Sequence, residues 1–295
     1  MKNTFIILCI GLFSSFFAIG QQLVNPTQMR WVYDINPAVI GFNENVSICK
    51  RQVFSGLDGA PSLQFLSLNK LTDNNMGVGL QVYDGSQGFV QNRGIKTGYM
   101  YRVHLNESNY LAFGISVDLF QKLYKKELYN LKNLDDPAFT GQQYEQMGID
   151  FDAGLSFNTP NFYADLAVHQ VPGRSVSLLN DFAESKRTRH YFLNLGYRFY
   201  LNNDIIVEPN VFFKTIEQFV FHVDAGLKFV WDETLWLGAY YRTNQFVAAM
   251  AGFKLDRYGF GFAYDYGFQD VFNYSTGTWE FQFIYDLHQS KRKHM

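Results

Sequence analysis

The sequence is poor in cysteine and proline, with 2 and 7 of 295 residues, and each shortage excludes something. Cys9 lies in the apolar leader, so the remainder carries only Cys49 and has no internal disulfide with which to staple a small exported fold. After the leader, no run approaches the roughly 18 apolar residues of a transmembrane helix. A net charge of -2 gives no bulk basic surface for nucleic acid. Catalytic signatures are also missing: there is no G-x-S-x-G elbow, no H-E-x-x-H and no phosphate-binding Walker loop. The histidines (104, 169, 190, 222, 288 and 294) are scattered, and none stands at metal-ligand spacing from another ligand. Neither a metal nor a cofactor is expected. A barrel hydrolase would have to draw on loop residues beside His169 or His190, and nothing in the pattern supports one.

What the sequence has in quantity is aromatic residues, 18%, together with 24 glycines. That balance favours strands over helices. Residues 1–20 read as a signal peptide: Lys2 is the positive end, Phe5–Ile19 the apolar stretch and Ala18-Ile19-Gly20 a small-x-small cleavage site. Cys9 follows Leu8, too large a neighbour for a lipid-modified cysteine. Residues 21–45, with Pro26 and Pro37, read as an irregular periplasmic segment, and 289–295 as a tail.

Between them, strand-like segments recur at 46–53, 61–70, 76–83, 94–104, 109–120, 149–158, 161–170, 189–200, 204–214, 219–231, 234–242, 246–255, 257–267 and 278–288. Most alternate. In the last, Trp279, Phe281, Phe283, Tyr285 and Leu287 share one face, while Glu280, Gln282, Ile284, Asp286 and His288 share the other. Segments 61–70 and 246–255 are mixed on both faces, and Pro209 removes a ladder donor inside 204–214. A soluble sandwich alternates too, but the connections decide between the two. Short ones (71–75, 105–108, 159–160, 201–203, 232–233 and 256) take turns with usually longer ones (54–60, 84–93, 121–148, 171–188, 215–218, 243–245 and 268–277). This is the pattern of an all-β, antiparallel transmembrane barrel over 46–288 in the bacterial outer membrane. An even strand number, about fourteen, puts both termini in the periplasm with the short turns and the long loops outside. Trp231 and Trp236 are expected in the inner aromatic girdle. Inward glycines (98, 114, 154, 196, 226, 238 and 261) read first as places where strands coil, and second as room for a plug or partner segment. Inward charges of both signs (Asp118, Asp165, Lys96, Arg198, Lys228 and Glu280) argue against a single-sign selectivity ring.

The N-terminal motifs go further. Asn36-Pro37-Ala38-Val39-Ile40-Gly41 is followed by Lys50-Arg51-Gln52 and then Gly59-Ala60-Pro61. Pro37 holds Asn36 extended, and Gly41 allows a tight turn into the first strand. This order, with Gln21-Gln22 at the mature end and Asp135-Asp136-Pro137-Ala138-Phe139 in the longest loop, resembles the PorP/SprF family of Bacteroidetes outer-membrane proteins. Arg51-Gln52-Val53 departs from the family's strand end, which carries a Trp at a different spacing. By residue type alone, Asp135-Asp136 before Pro137 is a solvated turn. The resemblance implies a non-enzymatic barrel of the type IX secretion system or the linked gliding machinery, set among outer-membrane lipid and other components of that system. Its implied partner is a cognate secreted protein or adhesin, recognised through its C-terminal domain and held at the surface. The long loops 121–148 and 171–188, with 54–60, would carry that contact. A passive channel or small-solute transporter is the alternative.

Overall fold

A computed structural model describes residues 35–73, 75–124, 144–173, 176–177, 188–217, 220–243, 246–268 and 270–288. The leader, the tail and the segment Asp135, Asp136, Pro137 and Phe139 lie outside these residues. The described chain forms fourteen wall strands: β1 Asn45–Gln52, β2 Ser62–Asp73, β3 Met76–Gln87, β4 Val90–His104, β5 Tyr110–Tyr124, β6 Tyr144–Asn158, β7 Phe162–His169, β8 His190–Tyr197 continued by Phe199–Tyr200, β9 Ile205–Ile216, β10 Phe221–Trp231, β11 Leu235–Arg242, β12 Phe246–Leu255, β13 Tyr258–Gly267 and β14 Thr278–Asp286. Each pairs antiparallel with the next, and β14 pairs with β1 from Asn45↔Asp286 to Gln52↔Trp279. The ring is therefore closed, with no edge strand to leave backbone groups unpaired in lipid. A two-residue strand, Val176–Ser177, also leans on β6.

The alternation resolves into two surfaces. Ile48, Leu66, Leu80, Ile95, Ile115, Leu237, Phe262 and Phe281 point outward and are about half exposed. Ser47, Lys96, Asp152, Asn210, Asp265 and Glu280 point inward and are buried. The mixed segments conform once the inside is seen to be partly apolar: in β12, Phe246, Ala248 and Met250 turn inward, while Val247 faces out.

Three expectations need correction. Residues 84–93 are not a long loop, because β3 and β4 continue as a hairpin to Gln87 and Val90 around a turn at Gly88-Phe89. Their polar composition reflects a wall that rises beyond its apolar band. β4, β5 and β6 each run 15 residues, against 8 in β7 and β11. Trp236 is not in a girdle. It turns inward against the cluster of Tyr240, Ala248, Met250 and Ala263, and its ring covers Gly252, where a Cβ would overlap it. Trp231, across the same turn, is outward and 55% exposed. Pro209 is accommodated by interrupting β8 opposite it: β9 keeps its full pairing with β10, and Arg198 N donates instead to Asn161 O at 2.6 Å.

Candidate functional site

The segment before β1 is the first candidate site. Of residues 21–45, expected in the periplasm, Ile35–Ile40 are all buried and packed on inward faces of the wall. Asn36 starts a short 3-10 helix, Pro37–Val39, with its Oδ1 accepting from Ala38 N at 2.8 Å. Its amide then donates to Leu155 O of β6 at 3.2 Å. Pro37 suits the first helical position, where its missing N–H costs nothing. Ala38 and Ile40 pack with Met100 and Ala112, while Ile35 packs with Ala167, Phe192 and Phe212. The Ile35 carbonyl lies 2.7 Å from His169 Nε2. Gly41, at φ +75°, turns the chain toward β1 under Leu71.

This seat depends on two glycines. A Cβ at Gly114 would overlap the Pro37–Ala38 peptide, and one at Gly154 would overlap the Asn36 side chain. Room for a segment, the second of the two expectations for the inward glycines, therefore describes these two positions, and the segment belongs to the chain itself.

Elsewhere on the inner face, charged side chains pair across strands. Arg51, 4% exposed, bridges Asp265 of β13 and Glu280 of β14 at 2.5 and 2.9 Å. Asp265 also pairs with Arg242 of β11 at 2.9 Å, reaching across Ala248 of β12. Arg242 and Lys214 then approach Asp224. Arg51 thus staples the seam where the first strand meets the last two. Farther round, Glu208 accepts from Lys228, Arg198 and the Tyr163 hydroxyl at 3.1, 3.3 and 3.1 Å. Asp152 pairs with Lys96 at 2.9 Å and accepts from Ser116. A buried carboxylate or guanidinium is tolerable only in such company.

The long-loop end has its own order. The β1–β2 connection, 53–61, is closed by Val53 N donating to Pro61 O at 2.8 Å. Gly59, at φ +71°, accepts through its carbonyl from Gly88 N, joining this loop to the β3–β4 turn. Ser55 exchanges backbone bonds with Gly277 and Thr276 of the β13–β14 connection, each 2.8 Å. Beneath them Phe54, Phe246 and Phe272 form a ring cluster with centroids 5.2 to 6.2 Å apart. Phe272 comes from the 3-10 turn Asp270–Tyr274.

The expected motif residues therefore fall into three places. Asn36, Pro37, Ala38 and Gly41 belong to the lumenal segment. Arg51 sits in the seam network, with Gln52 beside it reaching the Val53 and Pro61 carbonyls at 3.4 Å. Gly59, Ala60 and Pro61 shape the β1–β2 connection at the long-loop end. They do not converge on one pocket. Asp265, Phe54 and Phe272 carried no sequence signal of their own, since only the pairing register brings them to Arg51 and Phe246.

From residue 18 to residue 285 the sequence matches the family model described as type IX secretion system membrane protein PorP/SprF. Among curated proteins none matches. Among solved structures, the CymD monoaromatic hydrocarbon channel is similar in fold, with TM-score 0.52 and 12% identity over 92% of this chain and 95% of its own. The P. putida toluene transporter TodX gives 0.49 at 10% identity, covering 86% and 93%, and the KdgM porin gives 0.41 at 10%, covering 83% and 99%. These likenesses concern the barrel alone.

Proposed function

The chain belongs to the PorP/SprF family of type IX secretion system membrane proteins, non-enzymatic barrels of the outer membrane, and we propose that it assists export of a cognate secreted protein and holds that protein at the cell surface. The observation that carries this reading is an inner wall on which the chain's own residues are packed and paired. Ile35–Ile40 occupies the β4–β8 side, and the Arg51 network occupies the other. With the inside spoken for, the surface left for a large partner is the long-loop end.

In this reading, both termini are periplasmic, because Asn45 and Asp286 pair at the short-turn end. The partner's C-terminal domain meets the connections after β5 and β7, with the tied loop 53–61 as a rigid neighbour. Other components of the secretion system join at the membrane. Deleting residues 125–143 is expected to leave a folded, heat-modifiable barrel and to abolish display of the partner on intact cells. Undiminished display would move the contact elsewhere. A passive channel is disfavoured by the seated N-terminal segment, and a steady conductance from the pure protein would revive it.

A further inference from the structure

The seated segment is anchored unequally at its two ends. At Gly41 the chain itself leads on into β1, whereas Ile35 is held to the wall by contacts alone. Among the described residues, Ile35–Ile40 makes two hydrogen bonds to the wall. One joins two neutral amide groups, Asn36 Nδ2 donating to Leu155 O. The other, at the Ile35 end, sets His169 Nε2 2.7 Å from Ile35 O. Histidine is the side chain whose ordinary titration falls between about pH 5 and 8. Of the two bonds, only this one can change strength near neutrality.

The surroundings decide the direction of the change. A carbonyl only accepts, so Nε2 carries a proton whether the ring is neutral or charged. A second proton on the ring makes the donor cationic, and a charge-assisted bond is roughly twice as strong as a neutral one. On β6, Asp152 faces the ring closely enough for the two charges to attract. Its Oδ1 accepts from Gln170 N at 3.1 Å, and its Oδ2 pairs with Lys96 of β4. On β8, His190 is the register partner of His169. Phe192, with ring centroids 4.7 Å from His169 and 6.5 Å from His190, is paired in turn with Lys214 of β9. Arg189 and Glu217 beside them are paired with each other at 2.8 Å. Asp34 precedes Ile35 in the sequence and lies outside the described residues. His190 and Lys214 oppose a charge on His169, while the direct bond and Asp152 favour it.

We propose that His169 is a pH-sensitive latch on the N-terminal segment: protonated, it grips the Ile35 carbonyl and keeps the segment seated, and neutral, it lets the segment leave more readily. The inference rests on the seat and not on the export role. In a Cys49→Ser background, Ala38→Cys places a thiol in the buried middle of the segment. Its maleimide labelling is followed from about pH 8 to about pH 5.5. Each rate is divided by that of the same thiol with Gly114→Leu added, at the same pH, which removes the thiol's own ionisation. Protection should be about fivefold greater at the acid end. His169→Gln still donates but does not titrate, so its protection should match that of neutral His169 throughout. His190→Gln should keep the response to pH. Heat-modifiable mobility checks the barrel in every variant. Protection independent of pH, a response that survives His169→Gln, or one that vanishes with His190→Gln or Asp34→Asn would each overturn the proposal. No protection at any pH would overturn the seat itself, and the latch with it.

Discussion

The two halves of the inner wall face the same problem and solve it differently. From β9 round to β1 the inner face carries charged side chains paired across strands, Lys214, Asp224, Arg242, Asp265, Glu280 and Arg51, beside the apolar cluster of Trp236, Tyr240, Ala248, Met250 and Ala263. From β4 to β7 the inward residues include Met100, Ala112, Gly114, Gly154 and Ala167, and the space they leave is filled by main chain brought back from the N-terminus. The first solution is fixed once the strands are in register. The second depends on a segment joined to the wall only through Gly41 and non-covalent contacts. The charged half therefore secures closure of the ring, and the small-residue half is where the interior could be opened without undoing it.

The largest effect is expected on the charged side. Arg51→Ala takes from the buried Glu280 and Asp265 the guanidinium they share and should cost about 3–5 kcal/mol, read as a lower unfolding midpoint in detergent. Arg51→Met combined with Glu280→Gln should recover most of that loss, because Asp265 keeps Arg242 and the charges then balance. If the single and double variants are equally unstable, the network is not what holds the seam. On the other side, Gly114→Leu should expel the segment while the barrel stays heat-modifiable. In a Cys49→Ser background, Ala38→Cys should resist a maleimide and become reactive once Gly114→Leu is added. Equal labelling in both would show that the segment is not held by the space over Gly114. Smaller still, Asn36→Ala removes the helix cap and the bond to Leu155 and should lower stability by about 1 kcal/mol, detectable in the same unfolding assay. No measurable change would mean that the apolar contacts of Ala38 and Ile40 suffice.

How much of this could be read from residues alone follows from what periodicity contains. A period of two reveals two faces, so the strands, their number and the wet interior were accessible, as in the alternation of β14. Register is invisible to it. Nothing local to Arg51 indicates Asp265 or Glu280, which are 214 and 229 positions away in sequence. Composition also misplaces the rim: residues 84–93 are polar and look like a loop, yet they continue β3 and β4 above the apolar band. Trp236 misleads because tryptophan favours membrane interfaces, whereas here Gly252 across the pair leaves a space its ring fills. The N-P-A-x-x-G motif marked its segment as special without indicating where it goes. The inward glycines at 114 and 154 were the matching half of that signal, and only the three-dimensional arrangement joins them.

The central claim is that the barrel is closed by its own N-terminal segment and works at its outer rim. Single-channel recording in a planar bilayer tests it most directly. The pure wild-type protein should insert without a steady conductance, and the variant lacking residues 35–41 should give a steady open level. A steady pore from the wild type, no larger in the deletion variant, would contradict the account and return the protein to the class of passive channels.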